Sequence, residues 1–390
     1  MNKKRIVILG STGSVGVNAV KVAKHLKDEI EVVGVAARNN VELLAQQARE
    51  LQCPFVVSSD PAAKQRLESL VPESCTVMTG DNAMTDLAVM PEVDVVLCAI
   101  VGTGGLTPVL GAIKAGKTIA LASKEILVMA GEIVMAETAA SGSVILPVDS
   151  EHSAIFQCLE GRRHEDVSKL ILTASGGPFR NSTRADIECA SMDHALTHPV
   201  WDMGPKVTID SASMMNKALE IIEAKWLFDV PPEKIDVVIH PQSLIHSMVE
   251  FVDGTLLAQM STPDMRFPIQ YALTYPRKLP GGLKPFDFNK FRQISFELPD
   301  RNIFPSLDFA YSALREGGTM PAVMNAANET AVDMFRKGQI KFHEIWNIIE
   351  KSMSKHGTVK HPSLYEILEA DRWAKDFAQN AASAIGVQVN

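Results

Sequence analysis

Cysteine is scarce in this chain of 390 residues, which has five: Cys53, Cys75, Cys98, Cys158 and Cys189. They are odd in number, scattered and free of any C-x-x-C pair. That excludes a disulfide framework and a zinc ribbon, and it suggests a reducing compartment. Basic charge is also short, with Lys+Arg 38 against Asp+Glu 46 and a formal net charge of −8. An acidic total excludes generic nucleic-acid binding, which needs a basic stripe, while leaving room for a local cationic pocket. Long apolar runs are missing. The longest, Val95 to Val101, falls far short of the ~20 residues of a membrane helix. Nothing at Met1-Asn2-Lys3-Lys4-Arg5 reads as a signal or transit peptide, because an apolar strand follows directly. The expected location is the cytoplasm, with neither membrane nor nucleic acid as partner. Internal repeats and low-complexity tracts are absent too.

What is present is an ordinary globular composition, 46% hydrophobic and 22% charged, long enough for two or three domains. Up to residue 150, short β-branched runs alternate with longer helical stretches. The runs are Ile6–Leu9, Ile30–Ala36, Phe55–Val57, Thr76–Met78, Val93–Ile100, Thr118–Ala122 and Val144–Val148. Continuous apolar runs, rather than in–out alternation, predict strands covered on both faces. Segments such as Val41–Leu51 and Thr107–Ala115 are long enough for crossover helices. This predicts an α/β, doubly wound, Rossmann-like parallel sheet over residues 1–149. A central α+β domain is expected over 150–275, where Ile235–Phe251 and Thr255–Ser261 read as strands and 192–205 as a loop. A linker is expected over 276–304, around the Pro/Gly-rich stretch Pro276–Pro285. A helical domain is expected over 305–390.

Gly10-Ser11-Thr12-Gly13-Ser14-Val15-Gly16 follows the first strand and opens a helix, read as Val17–Leu26. Glycines there let backbone N–H groups approach a pyrophosphate at a helix N-terminus. The second strand ends in Ala37-Arg38-Asn39, where an NAD enzyme would carry an acid for the ribose hydroxyls. A guanidinium in that place suits a 2′-phosphate, so NADP is preferred. Further polar groups follow later strands: Gly102–Gly105, Ser123-Lys124-Glu125 and Asp149-Ser150-Glu151.

Asp149 and Glu151 flank Ser150 at a spacing of two. In an extended segment this puts both carboxylates on one side, fit for Mg²⁺ or Mn²⁺; a solvated acidic turn explains them as well. Asp210, Ser211 or Ser213 is expected to cap the next helix. In that helix Met215, Leu219, Ile222 and Trp226 form an apolar stripe, while Asn216, Lys217 and Glu220 share a polar face. The loop Thr173–Pro178 offers hydroxyl and backbone donors for a phosphate, and is equally a plain turn. Thr197–Pro205, with Trp201 and Met203, reads as a lid or a packed Ω-loop. His240 and His246 match no zinc spacing and read as structural residues of a strand.

Gly10–Gly16, Lys124-Glu125, Val148–His152, Ser175–Phe179, Met214–Glu220, His240–Ser243 and Asn325–Glu329 occur in the order of one family. The chain closely resembles the 1-deoxy-D-xylulose 5-phosphate reductoisomerases of the non-mevalonate isoprenoid pathway, over nearly its whole length. The resemblance implies NADPH- and divalent-metal-dependent conversion of 1-deoxy-D-xylulose 5-phosphate to 2-C-methyl-D-erythritol 4-phosphate. It implies metal ligands at Asp149, Glu151 and Glu220, with Lys124 beside the substrate. Ser150, Ser175, His198, Ser211, Asn216 and Lys217 would bind substrate, with Ser175, Ser211, Asn216 and Lys217 nearest its phosphate. Thr12, Gly13, Ser14, Val15, Ala37, Arg38, Asn39, Ser123, Glu125 and Gly204 would contact NADPH. Residues 150–275 would form the catalytic domain, Trp201 and Met203 would belong to a mobile lid over 192–205, and the assembly would be a homodimer. The chain departs from the family pattern at Ala37 and Arg38, where Gly and Lys are usual. It departs also at Ser123 in place of Asn and Ser213 in place of Thr. Two rival readings are an NADPH dehydrogenase of another phosphorylated hydroxy-acid or keto-sugar, and a non-catalytic NADP-sensing protein. Simple hydride transfer has no need of three metal carboxylates.

Overall fold

The structure, a computed structural model, describes residues 3–201 and 203–383. It divides into two compact units. The first comprises the chain up to Ile126, Val134–Ser153 and Asp264–Pro285; the second comprises Leu127–Ile133, Ala154–Pro263 and the chain from Phe286.

In the first unit every expected apolar run forms a strand: β1 (Lys4–Leu9), β2 (Ile30–Ala37), β3 (Phe55–Ser58), β4 (Thr76–Thr79), β5 (Val95–Cys98), β6 (Thr118–Leu121) and β7 (Val144–Pro147). All neighbours pair in parallel, in the order β4-β3-β2-β1-β5-β6-β7. Ile6 to Leu9 and Val96 to Cys98 have no exposed surface, as continuous apolar strands between helical layers require. The chain builds outward from β1 to β4, then returns to β5 on the other side of β1. The carboxyl ends of β1 and β5 therefore flank the topological switch point, where open α/β sheets bind ligands.

Two glycines make that turn possible. Gly10 has φ +85°, and a Cβ on it would lie 2.6 Å from the Ala99 carbonyl oxygen. A Cβ on Gly16 would lie 2.2 Å from the Gly10 oxygen. The helix that follows spans Ser14–His25, starting earlier than the sequence suggested because the turn tightens at Gly13, whose N–H bonds the Gly10 carbonyl. Residues 264–285 pack with this unit through the helix Arg266–Thr274. Lys4 Nζ donates to the Tyr275 carbonyl, 3.1 Å away, and Arg277 pairs with Glu29 at 2.6 Å.

The second unit holds a four-stranded sheet of β8 (Val167–Ala174), β9 (Ile235–Ile239), β10 (Ile245–Phe251) and β11 (Leu256–Met260), in the order β11-β10-β8-β9. Only β8 and β9 pair in parallel. The single strand expected over Ile235–Phe251 is two strands. Pro241 lacks the N–H needed to continue a ladder, and Ser243 takes φ +49°, so the chain reverses between them. His240 accordingly sits in a turn and only His246 in a strand. Helices Pro205–Ala212 and Met215–Phe228 share one core with the C-terminal helices Ser306–Glu316, Met320–Arg336 and Glu344–Lys355. Met215, Leu219 and Ile222 of the expected stripe lie in this core. Among the described residues, no helix is long and apolar enough to cross a membrane.

The glycine geometry gives a direct test. Gly16→Ala should lower the urea midpoint by an amount worth about 1–3 kcal/mol, the usual cost of overpacking. Gly13→Ala, whose Cβ would meet only the Gly10 oxygen at 3.5 Å, should leave it unchanged. Equal midpoints for the two variants would contradict the steric argument.

Candidate functional site

In the first unit the polar sequence motifs all fall at the carboxyl edge of the sheet. The 10–16 turn follows β1, Ala37-Arg38-Asn39 ends β2, Ser123-Lys124-Glu125 follows β6 and Asp149-Ser150-Glu151 follows β7. Gly13 and Ser14 are exposed at the start of their helix, and Thr12 and Val15 are half-buried. Ala37 is buried, whereas Arg38 and Asn39 are exposed. Ser123 is buried, and its hydroxyl donates to the Ile100 carbonyl, so its hydrogen is committed to the backbone. Glu125 is buried in the first turn of the helix Glu125–Ser141, where a negative charge meets the positive end of the helix dipole.

Lys124 is the N-cap of that helix. Its ammonium makes an ion pair with Asp149, and both side chains are nearly nine-tenths buried. Asp149 and Glu151 also depart from the extended geometry expected of them. Ser150 begins the helix Ser150–Leu159, so strand alternation does not govern the two carboxylates. The Ser150 hydroxyl donates to Glu151 Oε2, 2.6 Å away.

In the second unit, β8 runs into the loop Ser175–Pro178. Ser175 Oγ and His198 Nε2 are 2.9 Å apart. The backbone N–H groups of Val200 and Trp201 donate to His198 Nδ1 at 3.2 and 2.8 Å. Nδ1 is therefore unprotonated, so Nε2 carries the hydrogen and donates it to Ser175 Oγ. Ser175 Oγ also accepts from the Gly177 N–H at 3.2 Å. With two donors directed at its oxygen, the Ser175 hydroxyl is set to give its own hydrogen to a ligand. Burial pushes the His198 pKa down to about 4, so the ring is neutral at pH 7.

None of Asp210, Ser211 and Ser213 occupies the N-cap position of the helix Met215–Phe228. Asp210 and Ser211 end the preceding helix, and the N-cap is Met214, with φ +62° and no side-chain cap. Ser213 bridges the two helices, its hydroxyl donating to the Ile209 carbonyl at 3.0 Å and its oxygen accepting from the Met215 N–H at 3.5 Å. Gly177 packs against this corner, since a Cβ on it would lie 2.9 Å from the Ser211 oxygen. The Ser175 loop and Ser211 are thereby neighbours. On the following helix Glu220 has no exposed surface and Lys217 is 3% exposed. The two form an ion pair, Asn216 Nδ2 donates to the other Glu220 oxygen, and Lys217 Nζ donates to the Thr173 carbonyl at 2.6 Å.

Three family models cover most of the chain. A 1-deoxy-D-xylulose 5-phosphate reductoisomerase model matches residues 6–131, and two models of the C-terminal domain of that enzyme match residues 145–228 and 260–377. The reductoisomerase of Thermodesulfovibrio yellowstonii is 48% identical over 376 residues, covering 96% of this chain and 98% of its own length. That of Protochlamydia amoebophila is 50% identical over 376 residues, covering 96% and 97%. The solved structure of the Zymomonas mobilis enzyme in complex with NADPH superimposes with TM-score 0.92 at 40% identity, covering 98% of this chain and 99% of that one. A solved reductoisomerase in complex with NADPH, fosmidomycin and magnesium gives TM-score 0.92 at 36% identity, with the same coverage. The chain belongs to the 1-deoxy-D-xylulose 5-phosphate reductoisomerase family.

The expected lid contains the short helix Met192–Ala195, capped by Ser191. Beyond it Trp201 and Met203 are half-buried, and the Trp201 ring lies 6.1 Å from that of His246 on β10. Gly204 is the N-cap of the helix Pro205–Ala212. His240 is structural, its Nδ1 donating to the Ser295 carbonyl at 2.9 Å and its Nε2 accepting from the Leu244 N–H at 3.1 Å. Sequence reasoning missed the partners of Asp210, which are Lys206 at 2.9 Å and Asn328 Nδ2 at 2.9 Å. The i, i+4 spacing marked the first, and nothing local could mark the second.

The His198 geometry predicts a pH dependence. Its folded pKa lies below the ordinary 6.5, so between pH 6.5 and 4 the unfolded chain takes up a proton that the folded one does not. That contribution to stability is present above 6.5 and is lost as pH falls towards 4. The melting-temperature gap between the parent and His198→Gln should shrink across this window. A gap constant from pH 7 to 4 would refute the buried neutral imidazole.

Proposed function

We propose that this chain catalyses the NADPH- and divalent-metal-dependent isomerisation and reduction of 1-deoxy-D-xylulose 5-phosphate to 2-C-methyl-D-erythritol 4-phosphate. The observation that carries this reading is the end-to-end match to enzymes of that name, 48% identical over 96% of the chain.

The side chains fit the two groups the reaction needs. For NADPH, the exposed Gly13 leaves its backbone open to a pyrophosphate at a helix N-terminus. The exposed Arg38, at the end of a β2 with no acid there, suits a 2′-phosphate. Thr12, Ser14, Val15, Ala37, Asn39, Ser123, Glu125 and Gly204 would complete the cofactor contacts. For the metal, Asp149, Glu151 and Glu220 offer the hard carboxylate oxygens that Mg²⁺ and Mn²⁺ prefer. When bound, the metal polarises the substrate's carbonyl and hydroxyl oxygens and the nicotinamide supplies a hydride.

The chain's own groups would bind and orient. Ser175, Ser211, Asn216 and Lys217 would hold the phosphate, with His198 fixing the Ser175 hydroxyl as its donor. Binding energy gathered at that remote group would orient the reacting end and close residues 192–205, with Trp201 and Met203, against water. Lys124 and Ser150 would lie beside the substrate. The cytoplasm is the proposed location.

The assay is loss of NADPH absorbance with 1-deoxy-D-xylulose 5-phosphate, with and without Mg²⁺ or Mn²⁺. Turnover should require the metal. Glu220→Gln should abolish it while leaving NADPH affinity near normal. Arg38→Ser should weaken NADPH ten-fold or more, the worth of one charge-assisted phosphate contact, without weakening NADH. Near-normal turnover of Glu220→Gln at saturating Mn²⁺ would sink the metal assignment. Metal-independent NADPH oxidation would favour a plain dehydrogenase.

The assembly proposed is a homodimer. In support, β11 is an edge strand that exposes Leu256, Leu257 and Met260, and Phe288, Phe296 and Leu298 are exposed in the same unit. Long apolar edges of this kind are normally covered. Sedimentation should give about twice the 42.4 kDa chain mass, and Leu257→Glu should shift it to monomer. A parent chain that sediments as a monomer at micromolar concentration would refute the dimer.

A further inference from the structure

The motif Asn325-Ala326-Ala327-Asn328-Glu329 is not used by the chemistry above, yet both asparagines are wholly buried on the helix Met320–Arg336. Asn328 Nδ2 donates to Asp210 Oδ1 at 2.9 Å, across 118 positions of sequence. The other atom of that amide, Oδ1, is buried without a partner. Leaving an acceptor unpaired costs free energy that an apolar side chain would avoid. Asp210 is equally poorly placed for its own helix. It is 1% exposed and lies in the last turn of Pro205–Ala212, where a negative charge opposes the helix dipole. It also follows Lys206 by four, the weaker order for such a pair. Neither residue sits where local stability alone would put it.

What they share is position. Asp210 precedes Ser211 directly, and the segment continues through the left-handed corner at Met214 to Asn216 and Lys217. The C-terminal helices grip the same corner a second time. Ser306 Oγ donates to the Ser213 carbonyl at 2.7 Å, and Trp346 Nε1 donates to Ser306 Oγ at 2.8 Å. Gly177 packs onto Ser211 from the other side, which ties the Ser175 loop to the same fixed point. We propose that Asn328, acting through Asp210, is a positioning residue that sets Ser211 and the Asn216–Lys217 turn for the substrate's phosphate. The C-terminal helices thus determine affinity for the phosphate end of the substrate as well as the fold. This rests on the reading of residues 175–217 as the phosphate site.

The test uses the full-length chain with inorganic phosphate as the probe, beside the substrate. Asn328→Leu keeps the branched shape and removes the donor. It should raise the KM for substrate and the inhibition constant of phosphate about ten-fold, the cost of misplacing one charge-assisted hydrogen bond to the phosphate. The NADPH dissociation constant should stay within the parent's range, while the melting temperature falls modestly because a buried carboxylate loses a donor. Asn328→Asp sets a second carboxylate against Asp210 and should lose more. Adding Asp210→Asn restores a donor–acceptor pair and should recover most of that loss. An unchanged phosphate constant in Asn328→Leu overturns the proposal, as does a double variant no better than Asn328→Asp. A loss of NADPH affinity parallel to that of phosphate affinity also overturns it, because that is the signature of a merely structural residue. If the parent binds phosphate but turns over no substrate, the proposed reaction fails while the positioning test, read on phosphate binding alone, still stands.

Discussion

A carboxylate with no solvent contact governs the second unit. Glu220 is fully buried, and an isolated charge there would be expelled or neutralised. Lys217, one turn earlier and itself nearly sealed from water, answers it. The same ammonium also holds the Thr173 carbonyl of β8 at 2.6 Å. One cation therefore balances the charge and ties the helix Met215–Phe228 to the strand that delivers the Ser175 loop. Buried ion pairs seldom stabilise more than apolar residues of the same volume. A pair kept at the start of a helix, beside Ser211 and Asn216, is better explained by the chemistry proposed for it.

The first unit solves its problem by shape rather than charge. Its strands are buried on both faces, so polar groups can gather only at the ends of the sheet. The order of the strands then selects the end between β1 and β5. Gly10 and Gly16 are needed there because the chain passes within a Cβ radius of Ala99 and of itself. Gly13 is under no such constraint and faces outward. Steric necessity accounts for two of the three glycines, and the proposed access of the cofactor to the backbone accounts for the third.

This contrast explains what could be read from the sequence. All seven strands of the first sheet were legible, because a continuous apolar run in a short segment has few other uses. The reversal inside Ile235–Phe251 carried its own sign, Pro241, but the surrounding β-branched residues outweighed it. The corner at Met214 left no trace, since a methionine with positive φ belongs to no turn signature. Asp149-Ser150-Glu151 was ambiguous for a physical reason: Ser and Asp favour turns, strand ends and helix starts alike. The bond from Asn328 to Asp210 was illegible for a different reason. It spans 118 positions, and no local pattern encodes a partner at that distance.

An acidic chain that binds anionic ligands faces a last constraint, that of charge. The Lys217 ammonium is already engaged by Glu220 and the Thr173 carbonyl, so it brings little uncompensated positive charge to a phosphate. In the proposed phosphate site the other donors are dipoles: the Ser175 hydroxyl oriented by a neutral His198, Ser211, the Asn216 amide, and the N-terminus of a 14-residue helix whose N-cap, Met214, makes no side-chain cap. Oriented dipoles stabilise an anion without a free cation that must itself be paired when the site is empty. They are also fixed by packing, whereas a lysine ammonium moves on a flexible stem. A site of this kind depends on the placement of its backbone. That is why the grip of the C-terminal helices on Asp210 and Ser213 matters more here than it would in a pocket lined with arginines.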